Sequence, residues 1–282
     1  MRCRVSFISC IKRYLKGFRN VNVSVRNVVL SPSQLLSGKV ALITGASRGI
    51  GFAIAQQYIN AGAKVIGVAK TEAGLILTKQ QLGDHFQYII ADFSQYDQLS
   101  SVVAKALDVH GRIDIMVNAA GIKNGQEERY WDFESNDFDY AIAVNVKAPF
   151  FLSRDVIKYF LDNKIHGHII NIIGIKGLIG EGSPYSISKF GLSGMTKGLA
   201  RRFAPNGIVI NGISPGATMA GHNILSKDKN MLNFGSPNMR MAEPQEIANI
   251  ALFLASGMAD NMVGTIVVSD GGQILQYQNN RY

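Results

Sequence analysis

A doubly wound parallel α/β sheet is the fold predicted for this chain of 282 residues. Three observations predict it. Seven short apolar runs recur through residues 38–282, helical stretches separate most of them, and the first run flows directly into a glycine-rich turn. Runs that are continuously apolar, not alternating, mean strands buried on both faces. Strand–helix alternation means parallel crossovers.

In order, the strands are VALIT (40–44), KVIGVA (64–69), FQYIIA (86–91), IDIMVN (113–118), HIINII (168–173), IVINGI (208–213) and TIVVS (265–269). Helices are expected over 51–61, 95–110 and 138–161, among others. No internal linker or short-period repeat interrupts them, so 38–282 reads as a single domain. At 47% hydrophobic residues the chain can bury a sizeable core. It has no run of 18 or more apolar residues, so nothing reads as a membrane-spanning helix.

The net charge of +9 is unevenly placed. Residues 1–37 hold seven basic residues (Arg2, Arg4, Lys12, Arg13, Lys16, Arg19 and Arg26) and no acid, and the first acid is Glu72. The body is therefore near neutral, which argues against a nucleic-acid partner. Residues 1–37 form a basic N-terminal extension. Phe7, Ile11, Tyr14 or Leu15, and Phe18 recur at helical spacing within 1–20, VNVSV (21–25) alternates like an edge strand, and SPSQLLSG leads into the body. Three readings of 1–20 stand: a helix on an anionic membrane surface, a transit peptide, or an arm on a partner subunit. The expected location is cytoplasmic, with membrane association or organellar targeting open. Cys3 and Cys10 both lie in the extension, so the body has no disulfide framework or cysteine-rich metal site. His85, His110, His166, His168 and His222 show no ligand spacing with acids, and no metal is expected.

The first strand ends in TGASRGIG (44–51). Gly45, Gly49 and Gly51 suit a tight turn and the close approach of a pyrophosphate, and a helix N-terminus follows. Ser47, Arg48 and Ile50 fill the same loop. Where an NAD site usually carries an acid, after the second strand, stand Ala69 and Lys70. Lys70 and Arg48 favour a 2′-phosphate, hence NADP, with NAD possible.

TGASRGIG, NAAG (118–121), the asparagine of AVNV (Asn145), YSISK (185–189), SPG (214–216) and SDGG (269–272) occur in the order of the short-chain dehydrogenase/reductase family, which the chain resembles over about 38–280. The resemblance implies a Rossmann-like seven-stranded sheet, a homodimer or homotetramer, and a small carbonyl or alcohol substrate. It implies Tyr185 as general acid/base, Lys189 as the cation that favours its phenolate and contacts the nicotinamide ribose, and Asn145 in the proton relay. Asn118, Ala119 and Gly121 would line the cofactor, Asp92 would approach the adenine, and Pro215, Gly216 and Thr218 would adjoin the nicotinamide. Residues 219–240 would form a substrate loop.

One departure matters. The family usually has serine after the fifth strand, and this chain reads NIIG, with Ile173 and Gly174. No serine or threonine lies within 154–182. Ser183 is expected to cap the helix that Pro184 begins. Losing a preorganised donor to the substrate oxygen costs about 10²–10³-fold in rate. A water or a hydroxyl of the substrate would be the replacement. The rival expectation is an NADP-binding regulatory or scaffold protein without turnover.

Overall fold

The structure is a computed structural model that describes residues 34–123, 130–219, 231, 233 and 235–279. The chain divides into Met1–Ser31 and Pro32–Tyr282, and the architecture is that of the second unit. The basic helix expected in 1–20, the edge strand at 21–25 and most of the substrate loop lie outside the described residues. Leu36, which the sequence assigns to the extension, is buried in the body's core and donates its N–H to the Ala61 carbonyl at 2.9 Å.

Seven parallel strands form one sheet: β1 (Val40–Thr44), β2 (Lys64–Ala69), β3 (Phe86–Ile90), β4 (Ile115–Asn118), β5 (His168–Ile172), β6 (Val209–Pro215) and β7 (Ile266–Ser269), in the order β3-β2-β1-β4-β5-β6-β7. This is the expected Rossmann-like, doubly wound arrangement. The order in which strands are added reverses between β1 and β4, and the crevice beyond the carboxyl ends of the strands at such a switch is where ligands bind. Register brings Thr44 beside Asn118 and Asn118 beside Asn171, so the ends of β1, β4 and β5 meet at one edge.

Helices cover both faces. On one, α1 (Gly49–Asn60) packs against the late helix α9 (Pro244–Ala255), and the buried Tyr58 hydroxyl donates to the Ala251 carbonyl at 2.9 Å. On the other lie α4 (Val102–His110) and α6 (Ala148–Asp162), with Val102, Ala106, Leu152, Val156 and Phe160 buried. α2 (Glu72–Leu82) follows β2, α3 (Tyr96–Ser100) precedes α4, and α5 (Ser135–Ile142) precedes α6. α7 (Lys176–Ile179), α8 (Pro184–Phe203) and α10 (Gln273–Asn279) complete the set. The helix expected over 95–110 breaks at Ser101. The one expected over 138–161 begins at Ser135 and widens into a π-helical turn over Ala143–Lys147.

Candidate active site

The glycine turn comes first. Gly45 has φ of 69°, and a Cβ there would lie 2.8 Å from the Ala120 Cα. A Cβ on Gly51 would come within 2.2 Å of the Gly45 carbonyl oxygen. Glycine is thus required where the turn presses against its own helix and against the loop after β4. Arg48 enters α1 in an extended conformation, and among the described residues no side chain caps the helix. Its first-turn N–H groups are left to an outside acceptor, at the positive end of the dipole.

That turn forms one wall of a groove of about 800 Å³. Gly45, Ser47, Arg48, Gly49, Ile50 and Gly51 line it on this side, Lys70 and Asp92 at its far end, and Ala119 and Gly121 on the β4 side. An uncapped helix start, a turn no Cβ could enter and a long groove across the switch point fit an extended dinucleotide.

Lys70 has a partner that the sequence alone did not indicate. Its ammonium lies 2.8 Å from Asp92, because β2 and β3 pair in register up to Ala69 and Ile90. Burial alone would raise the Asp92 pKa. The Lys70 hydrogen bond and two from Ser94 outweigh it, and the carboxyl stays below its ordinary value. The expected cation is therefore shared with an acid.

The residues expected to react lie at α8. Ser183 stands at the N-cap and accepts from the Ser186 N–H at 3.1 Å, with Pro184 next, as the sequence reading expected. Tyr185 and Lys189 follow one turn apart, with the Lys189 Nζ 5.9 Å from the tyrosine ring centroid. Lys189 is 4% exposed and donates to the Ile172 carbonyl at 3.0 Å. Burial lowers its pKa from 10.5 to about 8. A Cβ on Gly121 would lie 3.1 Å from the Lys189 Nζ, so the groove wall passes directly over the amine.

Asn145 sits in the π-helical turn, fully buried. Its Oδ1 accepts from the Ile122 N–H at 2.9 Å, and its Nδ2 donates to the Ile122 carbonyl at 3.0 Å and to the Ser188 hydroxyl at 2.9 Å. Asn145 thus clamps the groove wall to the helix that carries Tyr185. Its side chain is committed to that clamp.

Other expected residues stand apart. The Asn118 side chain turns into a buried network, donating to Ser153 at 3.2 Å and to Asn171 at 2.7 Å. Asn171 passes the chain on to Thr196 at 2.9 Å. Asn118 ties β4 to β5 behind the groove. Pro215, Gly216 and Thr218 follow the end of β6. The Pro215 carbonyl accepts from Ile175, and the Thr218 hydroxyl donates to the Gly216 carbonyl at 3.1 Å.

Two contributors were not singled out from sequence. The Thr44 hydroxyl accepts from the Ala119 and Ala120 N–H groups at 3.1 and 3.0 Å and so fixes the β4 loop. Ser188 bridges Asn145 to the Tyr185 carbonyl. Its position three residues after Tyr185, at helical spacing, was the available signal.

Gly174 lies beside the tyrosine. A Cβ there would contact the Tyr185 hydroxyl at 3.4 Å and nothing else within 4 Å. Its φ of 96° disfavours any other residue. Ile173 is turned into the core, against Gly177 and Gly212.

Residues 45–273 match the family profile described as "Enoyl-(Acyl carrier protein) reductase". The 3-oxoacyl-[acyl-carrier-protein] reductase FabG of Escherichia coli is 37% identical over 243 residues, covering 84% of this chain and 98% of the relative. Among solved structures, the 3-ketoacyl-(acyl-carrier-protein) reductase of Brucella melitensis complexed with NADH superposes with a TM-score of 0.78. It is 30% identical, covering 84% of this chain and 99% of that one. A putative gluconate dehydrogenase from Agrobacterium tumefaciens gives 0.76 at 28% identity, covering 85% and 97%. The chain belongs to the short-chain dehydrogenase/reductase family and is a nicotinamide-dependent oxidoreductase acting between carbonyl and alcohol.

Proposed function

We propose that the protein reduces a ketone with NADPH, using Tyr185 as the proton donor. The observation that carries this reading is the convergence of Tyr185, the buried Lys189 and the Asn145 clamp behind Gly121 and Ile122, which line the groove. The nicotinamide, when bound, supplies a hydride to the carbonyl carbon. Tyr185 gives its proton to the carbonyl oxygen, solvent later restores that proton, and a secondary alcohol results. Charged Lys189 favours the phenolate left behind. Asn145 holds Ile122 so that the groove wall keeps its distance from Lys189.

Arg48 and the exposed flank of Lys70 support NADP over NAD, although Lys70 shares its charge with Asp92. The relatives' names give different substrates, a 3-oxoacyl-[acyl-carrier-protein] and gluconate, and the reaction class is what they share. We infer a small-molecule substrate, a cytoplasmic protein and a homo-oligomer. Phe150 on α6 and Ile187 and Phe190 on α8 leave apolar surface exposed for a second copy.

Gly174 favours a second reading, a cofactor-binding protein without turnover. NADPH oxidation with a panel of ketones tests both, using wild type and Tyr185→Phe. Turnover by wild type, lost at least a hundredfold in Tyr185→Phe with NADPH binding intact, is the expected result. Binding without turnover of any ketone would favour the second reading.

A further inference from the structure

The serines nearest Tyr185 are already engaged. Ser183 accepts from Ser186, Ser186 accepts from the Glu181 N–H and donates to the Lys176 carbonyl (both 2.8 Å), and Ser188 is held between Tyr185 and Asn145. Among the described residues, only the Tyr185 hydroxyl lies within 4 Å of where a Cβ on Gly174 would stand. The site therefore has room, and lacks a serine hydroxyl, at the spot where the substrate oxygen must be oriented.

An aromatic cluster packs on the segment that leads into α8. Tyr130 and Trp131 lie in a short helical turn, ring centroids 5.3 Å apart and edge to face, with Phe133 at 6.4 Å from Tyr130. Tyr130 packs on the strap that runs from α7 into α8, where a Cβ on Gly182 would meet its ring at 3.1 Å. The Lys176–Glu181 ion pair spans the same strap. Trp131 is 90% exposed and is the chain's single tryptophan. A tryptophan in water contributes little to the fold, whereas its flat face gains by covering a ligand. A lone exposed aromatic would mean nothing. This one belongs to a cluster seated on the segment that delivers Tyr185.

We propose that Tyr130 and Trp131 form a substrate platform and, with the opening at Gly174, select a hydroxylated ring ketone such as a keto sugar. The inference rests on Tyr185 being the reacting residue. Each feature meets one part of such a ligand. The C–H face of the ring covers the exposed Trp131 face, and Tyr130 braces that indole at 89° to it. Ring hydroxyls reach the Lys176–Glu181 pair. A hydroxyl next to the carbonyl lies at Gly174 and takes the place of the serine hydroxyl that the sequence lacks after β5. The balance of the reaction is unchanged: hydride to the carbonyl carbon, proton from Tyr185 to its oxygen.

The test uses full-length protein and three probes: an inosose (a cyclohexanone ring bearing hydroxyls), cyclohexanone, and the N-acetylcysteamine thioester of acetoacetate. Trp131 fluorescence is titrated in the presence of oxidised cofactor, where no reduction occurs. The inosose is expected to change it saturably, in wild type and in Tyr185→Phe alike. In the NADPH assay, Trp131→Ala and Tyr130→Ala are each expected to raise the inosose KM about three- to tenfold, while the cyclohexanone KM moves less than twofold. Both side chains are exposed, so neither variant threatens folding. Turnover of the inosose with no Trp131 response, or with KM unchanged in both variants, would overturn the platform alone. So would an acyl thioester whose kcat/KM exceeds that of the inosose. A Trp131 response without turnover of any probe would leave the platform standing and overturn the catalytic reading.

Discussion

At the scale of single residues, Lys189 carries the most information. Burial without a nearby carboxylate brings its pKa from 10.5 to about 8. Below pH 8 the amine is charged in the folded and unfolded chain alike, and the fold bears the full cost of a buried ammonium. Between 8 and 10.5 the folded amine is neutral while the unfolded one still holds its proton, so stability from this group rises with pH. The shift corresponds to a difference on the order of 3 kcal/mol. Lys189→Met is expected to remove the cost, and with it the proposed activity. Its Tm relative to wild type, measured on cofactor-free protein, is therefore expected to be distinctly more favourable at pH 7 than at pH 10. The lost hydrogen bond to Ile172 weighs on both values. A Tm difference independent of pH would contradict the burial of the charge. Tyr185, Lys189 and the Ser183 cap were legible in YSISK and its flanks, because helical spacing fixes which side chains share a face. The Lys70–Asp92 pair was not, because 22 residues of sequence separate partners that only sheet register brings together.

At the scale of elements, the π-helical turn before α6 is the feature that the sequence hid. AVNVK has an unremarkable helical pattern, and nothing in it signals a widened turn. Such turns gather at functional sites, and this one aims Asn145 at the loop after β4. Asn145→Ala would strand the Ile122 N–H and carbonyl and leave Ser188 short of a donor. The expected loss is about 1–2 kcal/mol of stability, read by urea unfolding, since the Ile122 groups are only partly buried and groove water can replace part of each lost hydrogen bond. Activity should fall with it. A variant as stable as wild type would mean that the clamp is not needed to hold the groove wall. The glycine turn was legible for the opposite reason. Gly45 and Gly51 satisfy contacts that no Cβ could share, and glycine in a strand-to-helix turn announces them.

At the scale of the whole molecule, the strand count and parallel direction followed from seven continuous apolar runs. The order β3-β2-β1-β4-β5-β6-β7 did not follow from the runs themselves, because tertiary register decides which strands pair; the family resemblance implied only a Rossmann-like seven-stranded sheet. That order places the groove across the switch point and puts Lys70 at its far end. If Lys70 meets a 2′-phosphate, Lys70→Ala should weaken NADPH binding about tenfold in a fluorescence titration and leave NADH binding within twofold. The carboxylate of Asp92 would compete for the same ammonium, so Asp92→Ala should tighten NADPH. Equal losses for the two cofactors in Lys70→Ala would remove the basis for preferring NADP.

The central claim is that this groove and Tyr185 carry out hydride transfer to a carbonyl despite glycine at 174. Its most direct test follows the label. NADPH bearing deuterium at the transferable C4 position would be supplied with the ketone panel, and the alcohol products analysed by mass spectrometry. One deuterium on the carbinol carbon with wild type, and none above background with Tyr185→Phe, is the predicted result. Tight NADPH binding with no labelled alcohol from any ketone, inosose included, would contradict it.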